Sequence, residues 1–146
     1  MKEILFYRPG DKGGEFSNFY PASFVDKEGR HWKTTEHYFQ AMKFEGHLEH
    51  FTAVQNANSA AKSAQMGRDK NRPLRKDWEE VKDEIMMDAI RFKFSQHEDL
   101  RDVLISTGNK KLIEHTKNDR YWADGGDGRG KNMLGILLMN LRDELS

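Results

Sequence analysis

Residues Asp77–Gln96, DWEEVKDEIMMDAIRFKFSQ, hold the clearest periodicity in the chain. Trp78, Val81, Ile85, Ala89 and Phe92 recur at intervals of three and four, so they fall on one face of a helix that starts near Asp77. Downstream, His97–Thr107 reads as a short helix closed by Gly108, Lys111–His115 as a strand, and Asn132–Leu145 as a nearly all-apolar helix that should be buried. Upstream, Ser59–Met66 reads as a helix ended by Gly67, and Thr34 or Thr35 caps another that runs to about Phe44. Ile4–Tyr7 is a short apolar run, and Phe24-Val25 and His31-Trp32 flank the turn Asp26-Lys27-Glu28-Gly29 as a hairpin. Helices dominate and no βαβ alternation is visible. The expected class is α+β, mainly α: a single compact domain over residues 1–146 with a few short strands near the N-terminus, not a doubly wound sheet.

The chain has 146 residues, with 24 basic and 24 acidic side chains and no cysteine. One domain with a real core is expected at this length. Disulfides, thiolate catalysis and Cys-ligated zinc are excluded together. No apolar run approaches the ~18 residues that span a bilayer, and the start MKEILFYRPGDKGG lacks the apolar core of a signal peptide, so a cytoplasmic location without a membrane partner is expected. Zero net charge argues against a general nucleic-acid binder. The zero hides a dipole, however: residues 62–76 carry six basic groups against one acid, and residues 77–88 six acids against one lysine. Either these are solvated faces that pair with each other, or the basic block, irregular with Gly and Pro, holds a phosphate or polyanion.

Several motifs carry less than they promise. The loop Gly125–Asn132 comes within one residue of a phosphate-binding P-loop, but Asn132 lacks the hydroxyl that would hold magnesium and no buried strand precedes it. Its glycines either form turns or, with their N–H groups opening onto a helix start, favour an anion. His47 and His50 stand three apart without a third ligand, and the acids of Asp119–Asp127 are wrongly spaced for calcium. No metal and no cofactor are expected.

The helix Thr35–Phe44, TEHYFQAMKF, says most about function. Glu36, Gln40 and Lys43 fall within a sector of roughly 60°, flanked by Phe39 and Phe44, with Tyr38 and Met42 on the other side. A polar stripe on a helix apolar on both sides should face a cleft; the alternative is a surface stripe with a Glu36–Gln40 contact. Glu36 and Lys43 are separated by roughly 10 Å of rise, which suits a sugar-sized group between them better than a close pair. Trp78 reads as core, whereas Trp122, beside a glycine-rich loop, is as well suited to stacking on a base.

Together these segments resemble the YbiA-like, or NADAR (NAD- and ADP-ribose-associated), family. The resemblance rests on FSNFYP (Phe16–Pro21), W-x-T-x-EHYFQAMKF (Trp32–Phe44), AQMGR (Ala64–Arg68), RPLRKDWEEVK (Arg72–Lys82), EHTKNDRYW (Glu114–Trp122) and DGGDGRGKNMLGILLMNLRDEL (Asp124–Leu145). It implies an N-glycosidase that hydrolyses the bond between ribose 5-phosphate and the base of early riboflavin-pathway ribosylaminopyrimidines. Alternatives are an ADP-ribosyl-guanine glycohydrolase, which alone would bring nucleic acid as a partner, and a non-catalytic ADP-ribose-binding module. Ala123 departs from the family's Trp-Gly-Asp-Gly form, which would matter if that position needs positive φ. Breaking a ribose C1′–N bond builds positive charge on the sugar and requires a base or a nucleophile. The roles that follow are Glu36 as acid/base or electrostatic group, and Lys43 as Schiff-base nucleophile or hydroxyl and phosphate ligand. Substrate contacts would come from Asn18, Gln40, Asp124 and Asp127, from Trp122 stacked on the base, and from Arg68, Arg72 and Arg75 on the phosphate. Asn132 would cap the last helix.

Overall fold

A computed structural model describes residues 2–146. In chain order the elements are β1 (Glu3–Phe6), a 3-10 turn (Gly14–Phe16), β2 (Phe24–Val25), β3 (His31–Trp32), α1 (Thr35–Met42), α2 (Leu48–Gln55), α3 (Ala60–Gly67), α4 (Trp78–Gln96), α5 (Glu98–Ser106), β4 (Lys111–Glu114) and α6 (Met133–Leu145). The fold is mainly helical with a few short strands. The chain divides into two compact units, one of Pro21–Lys93 and one of the N-terminal residues up to Tyr20 with Phe94–Ser146. Among the described residues, no helix is long and apolar enough to cross a membrane.

In the Pro21–Lys93 unit, β2 and β3 form the expected antiparallel hairpin, Phe24 opposite Trp32 and Val25 opposite His31. Asp26 organises its turn by accepting from the Glu28 and Arg30 N–H groups (2.9 and 3.0 Å), from Arg30 Nε (2.8 Å) and from Trp32 Nε1 (2.9 Å). The strand leads straight into α1, whose first turn is capped by Thr34 Oγ1 accepting from the His37 N–H at 3.1 Å. His37 is buried between Thr34 Oγ1 (2.8 Å) and the Ala57 carbonyl (3.0 Å). Because a carbonyl only accepts, Nε2 carries the ring proton, and burial holds the pKa below the ordinary value. Every residue of α1 from Thr35 to Met42 is buried.

The stretch between Lys43 and Ser59 forms α2, which sequence reading left unassigned; its inward face is only Phe51 and Val54, three apart, in otherwise polar surroundings. The buried face of α4 is not centred on Val81, Ile85 and Phe92, which stay half-exposed, but runs through Met86, Ala89, Ile90 and Lys93, roughly a quarter turn away. The methionines and the lysine stem supply apolar surface that a pattern of branched and aromatic residues overlooks.

In the other unit, β1 pairs in parallel with β4, Ile4 opposite Leu112 and Phe6 opposite Glu114. Phe6, Phe16 and Phe94 pack ring against ring, with centroids 5.7 and 6.3 Å apart. Helix α6 buries Leu134, Gly135, Leu138, Leu141 and Arg142, whereas Ile136 is 38% exposed, so it is buried along one face rather than all round. Asn132 is the N-cap residue of α6, its carbonyl accepting from the Ile136 N–H at 3.0 Å, but its side chain makes no cap hydrogen bond. It adopts a left-handed φ of 55°, and its side chain bridges to β4, Oδ1 accepting from the Glu114 N–H (3.0 Å) and Nδ2 donating to the Leu112 carbonyl (3.0 Å). Asn is one of the few residues with a Cβ that tolerate this conformation. Ala123 is fully buried with negative φ, so alanine there brings no backbone strain.

Candidate active site

The stripe on α1 faces inward. Glu36 is 8% exposed and Gln40 6%, and Gln40 Nε2 donates to Glu36 Oε2 at 2.7 Å. The contact proposed for a surface stripe therefore exists, but in the interior, where a charge-assisted hydrogen bond counts for more. That bond fixes the orientation of the Gln40 amide and leaves its buried Oε1 without a hydrogen-bond partner. The oxygen lies against Gly67 at the end of α3, where any Cβ would overlap it. Glycine is needed at 67 for this close approach of α3 to α1, not for an unusual backbone.

Lys43 follows α1 as its C-cap, and its Nζ donates to the Gly67 carbonyl at 3.2 Å. The ammonium position also lies 5.8 Å from the centre of the Phe39 ring and 5.7 Å from that of Trp78, two rings packed edge-on to each other. Burial pulls the Lys43 pKa down; Glu36 opposes this, Arg68 adds to it, and the net result lies below the ordinary lysine value. An amine so placed reaches its neutral, nucleophilic form at lower pH than a surface lysine does.

Lys43 opens onto a cavity of about 250 Å³ whose lining includes Arg68, Lys70 and Arg72, with Asp69 as its acid. Arg68 stands just beyond α3. Arg72 is half-buried: Nη1 donates to His50 Nδ1 at 3.1 Å, and Nε lies 3.6 Å from the Asp69 carboxylate. Arg75 is turned away from this lining. It pairs with Asp77 (2.6 and 3.0 Å) and Glu45 (3.2 Å), while its backbone N–H donates to the Lys43 carbonyl at 2.9 Å. The basic and acidic blocks thus meet at Arg75–Asp77, whereas Arg68 and Arg72 line the cavity, Arg72 with Asp69 beside it.

The remaining candidates lie in the other unit. Asn18 is buried in the turn after the 3-10 helix. Trp122 is half-buried and edge-on to Tyr121 at 5.0 Å, with its backbone N–H donating to Asp119 Oδ1 at 2.7 Å. Asp124 is buried and accepts from the Gly126 N–H (2.8 Å), the Thr116 N–H (3.2 Å) and His115 Nδ1 (2.7 Å). Burial raises its pKa, but the His115, Gly126 and Thr116 hydrogen bonds outweigh that and hold it below the usual aspartate value. Gly126, at φ 82°, takes the left-handed turn that brings its N–H back onto this carboxylate. Asp127 is exposed, accepting from the Arg129 N–H at 3.0 Å and facing Arg120 at 3.4 Å.

Sequence reasoning missed three participants: Gly67, His50, and Trp78 as a wall beside Lys43. Trp78 is core, as its helical position implies, and borders the cavity as well. His50 was visible only as half of a candidate metal pair, and nothing in the sequence turns its ring toward Arg72.

The sequence profile described as the NADAR domain matches residues 5–146. The chain is 50% identical over 145 residues to N-glycosidase YbiA of Escherichia coli, an alignment covering 98% of this chain and 88% of that protein. It is 39% identical over 142 residues to the riboflavin biosynthesis protein VVA0006 of Vibrio vulnificus, covering 97% of this chain and 38% of that one. The NMR structure of the E. coli protein YbiA matches with a TM-score of 0.89 at 48% identity, over 99% of this chain and 84% of that one. A profile match across both units, a shared fold and this degree of identity lead to one conclusion: the chain belongs to the NADAR family.

Proposed function

We propose that this chain is a cytoplasmic N-glycosidase whose residues 1–146 act as one NADAR domain, hydrolysing the C1′–N bond of a 5′-phosphorylated ribosylaminopyrimidine. The observation that carries the reading is the buried Glu36–Gln40 pair on the same helix face as Lys43, which opens onto a cavity lined by Arg68 and Arg72. The curated names of the relatives support the reaction class. The zero net charge supports a small anionic substrate over a nucleic-acid strand.

In this reading Arg68 and Arg72 hold the phosphate, and Glu36, kept in place by Gln40, offsets the positive charge that grows at C1′ as the base departs. A ribosylamine opens to an imine at C1′, which the neutral Lys43 amine attacks. A new C–N bond forms, the aminopyrimidine leaves with a proton, and Lys43 holds the sugar as an imine. Water then adds to C1′, releasing ribose 5-phosphate as the aldehyde and restoring the amine. Arg75 acts at a distance, tying the cavity wall to the end of α1, and Asp124 shapes the Trp122 loop.

The test is to incubate the protein with the aminopyrimidine riboside phosphate and, separately, with ADP-ribosylated guanine DNA, following free ribose 5-phosphate and free ADP-ribose. Release of ribose 5-phosphate alone is expected. Release from neither, with measurable ADP-ribose binding, would refute the enzymatic reading in favour of a binding module.

A further inference from the structure

We propose that His50 is a positioning residue that sets the cavity's grip on phosphate by holding Arg72 in place; this rests on the phosphate-binding reading above. Arg72 lies outside any helix, in the irregular segment between α3 and α4, so its backbone does little to orient its side chain. Its Nε is buried without a hydrogen-bond partner, and the Asp69 carboxylate at 3.6 Å is too distant to supply one. The hydrogen bond that orients the guanidinium across the fold comes from His50 on α2, 22 residues away. The His50 ring is itself steadied by Phe44, whose centroid lies 6.2 Å away and whose side chain is buried at the cavity wall.

The identity of the acceptor matters. Arg has only donors, so His50 Nδ1 must accept, which requires a neutral imidazole with its proton on Nε2. A carboxylate at position 50 would hold Arg72 as firmly but, added to the Asp69 carboxylate, would give the guanidinium a second negative partner. A neutral ring fixes the guanidinium without adding a second negative charge to that of Asp69, 3.6 Å from its Nε, and so leaves more of its positive charge to an anion in the cavity.

The test compares wild type, His50→Ala, His50→Asn and His50→Asp by calorimetric binding of ribose 5-phosphate and by steady-state kinetics. Asn presents its Oδ1 close to where His presents Nδ1. His50→Ala is expected to bind roughly three- to tenfold more weakly, the size expected for one lost orienting hydrogen bond, with KM raised and kcat unchanged. His50→Asn should recover most of the affinity, and His50→Asp should bind at least as weakly as His50→Ala. Equal binding by wild type and His50→Ala overturns the proposal. So does equal weakening in His50→Ala and His50→Asn, which would assign the effect to lost packing. A wild type that binds no ribose 5-phosphate would instead overturn the phosphate reading, and this inference with it.

Discussion

Replacing Gly67 with alanine sets two effects of opposite sign against each other. Gly67 has no positive φ and closes α3, so an added methyl group should by helix propensity alone stabilise the chain by up to about 1 kcal/mol. The same methyl overlaps the buried Gln40 amide oxygen, so the amide must swing aside and give up its 2.7 Å bond to Glu36. A hydrogen bond to a charged group contributes about 1.5–3 kcal/mol, so the net loss is about 0.5–2 kcal/mol. At this chain length that lowers Tm by about 1–8 °C. Activity should fall further than stability, because Glu36 loses its orienting partner and the Lys43–Gly67 contact shifts: kcat should drop at least tenfold, or about 1.4 kcal/mol. Thermal unfolding and steady-state kinetics on Gly67→Ala read both. A raised Tm with unchanged kcat would refute the claim that Gly67 exists to seat Gln40.

Three further outcomes follow from the same geometry. The folded pKa of Lys43 lies below the ordinary lysine value of 10.5, so between those two values the unfolded chain binds more protons, and wild type should gain stability relative to Lys43→Met as pH rises through that interval. Denaturant unfolding of both at stepped pH checks this; a difference that shrinks with rising pH contradicts it. Asp124→Asn should lose about 1–3 kcal/mol at neutral pH, since it turns an acceptor of three donors into a partial donor. Because the folded pKa of Asp124 lies below 3.8, the gap should close as pH falls through that folded value, and a gap constant to the acid limit would refute the assignment. Borohydride added during turnover should trap the sugar on Lys43 by reducing the imine, giving a modified peptide in digests; an adduct on another lysine, or none during active turnover, would remove Lys43 as nucleophile.

Much of this was legible in local chemistry. The Phe24–Trp32 hairpin follows from its turn residues, α1 from Thr34, and the inward-facing stripe of Glu36, Gln40 and Lys43 from apolar residues on both sides of it. What escaped depends on distant partners. The β1–β4 pairing joins Glu3–Phe6 to the distant Lys111–Glu114, and parallel pairing without an intervening βαβ unit leaves no local trace. Helix α2 was hidden because Phe51 and Val54 are too few to mark a face. Arg68, Arg72 and Arg75 look alike in one dimension; beyond its neighbour Asp77, only the fold gives the distant Glu45 to Arg75 and leaves the others at the cavity. The position of Asn132 at the N-cap of α6 is a local signal, whereas the partners of its side chain, Leu112 and Glu114, lie on a strand about twenty residues back.

The central claim is that Glu36, buried on α1, and Lys43, at its C-cap, perform glycosidic bond cleavage. Single-turnover release of ribose 5-phosphate from the aminopyrimidine riboside phosphate, measured for wild type, Glu36→Gln and Lys43→Ala with folding verified by thermal unfolding, addresses it most directly. At least a tenfold loss in each folded variant is expected, about 1.4 kcal/mol of transition-state stabilisation apiece. Wild-type rates in both folded variants would contradict it and place the chemistry elsewhere in the molecule.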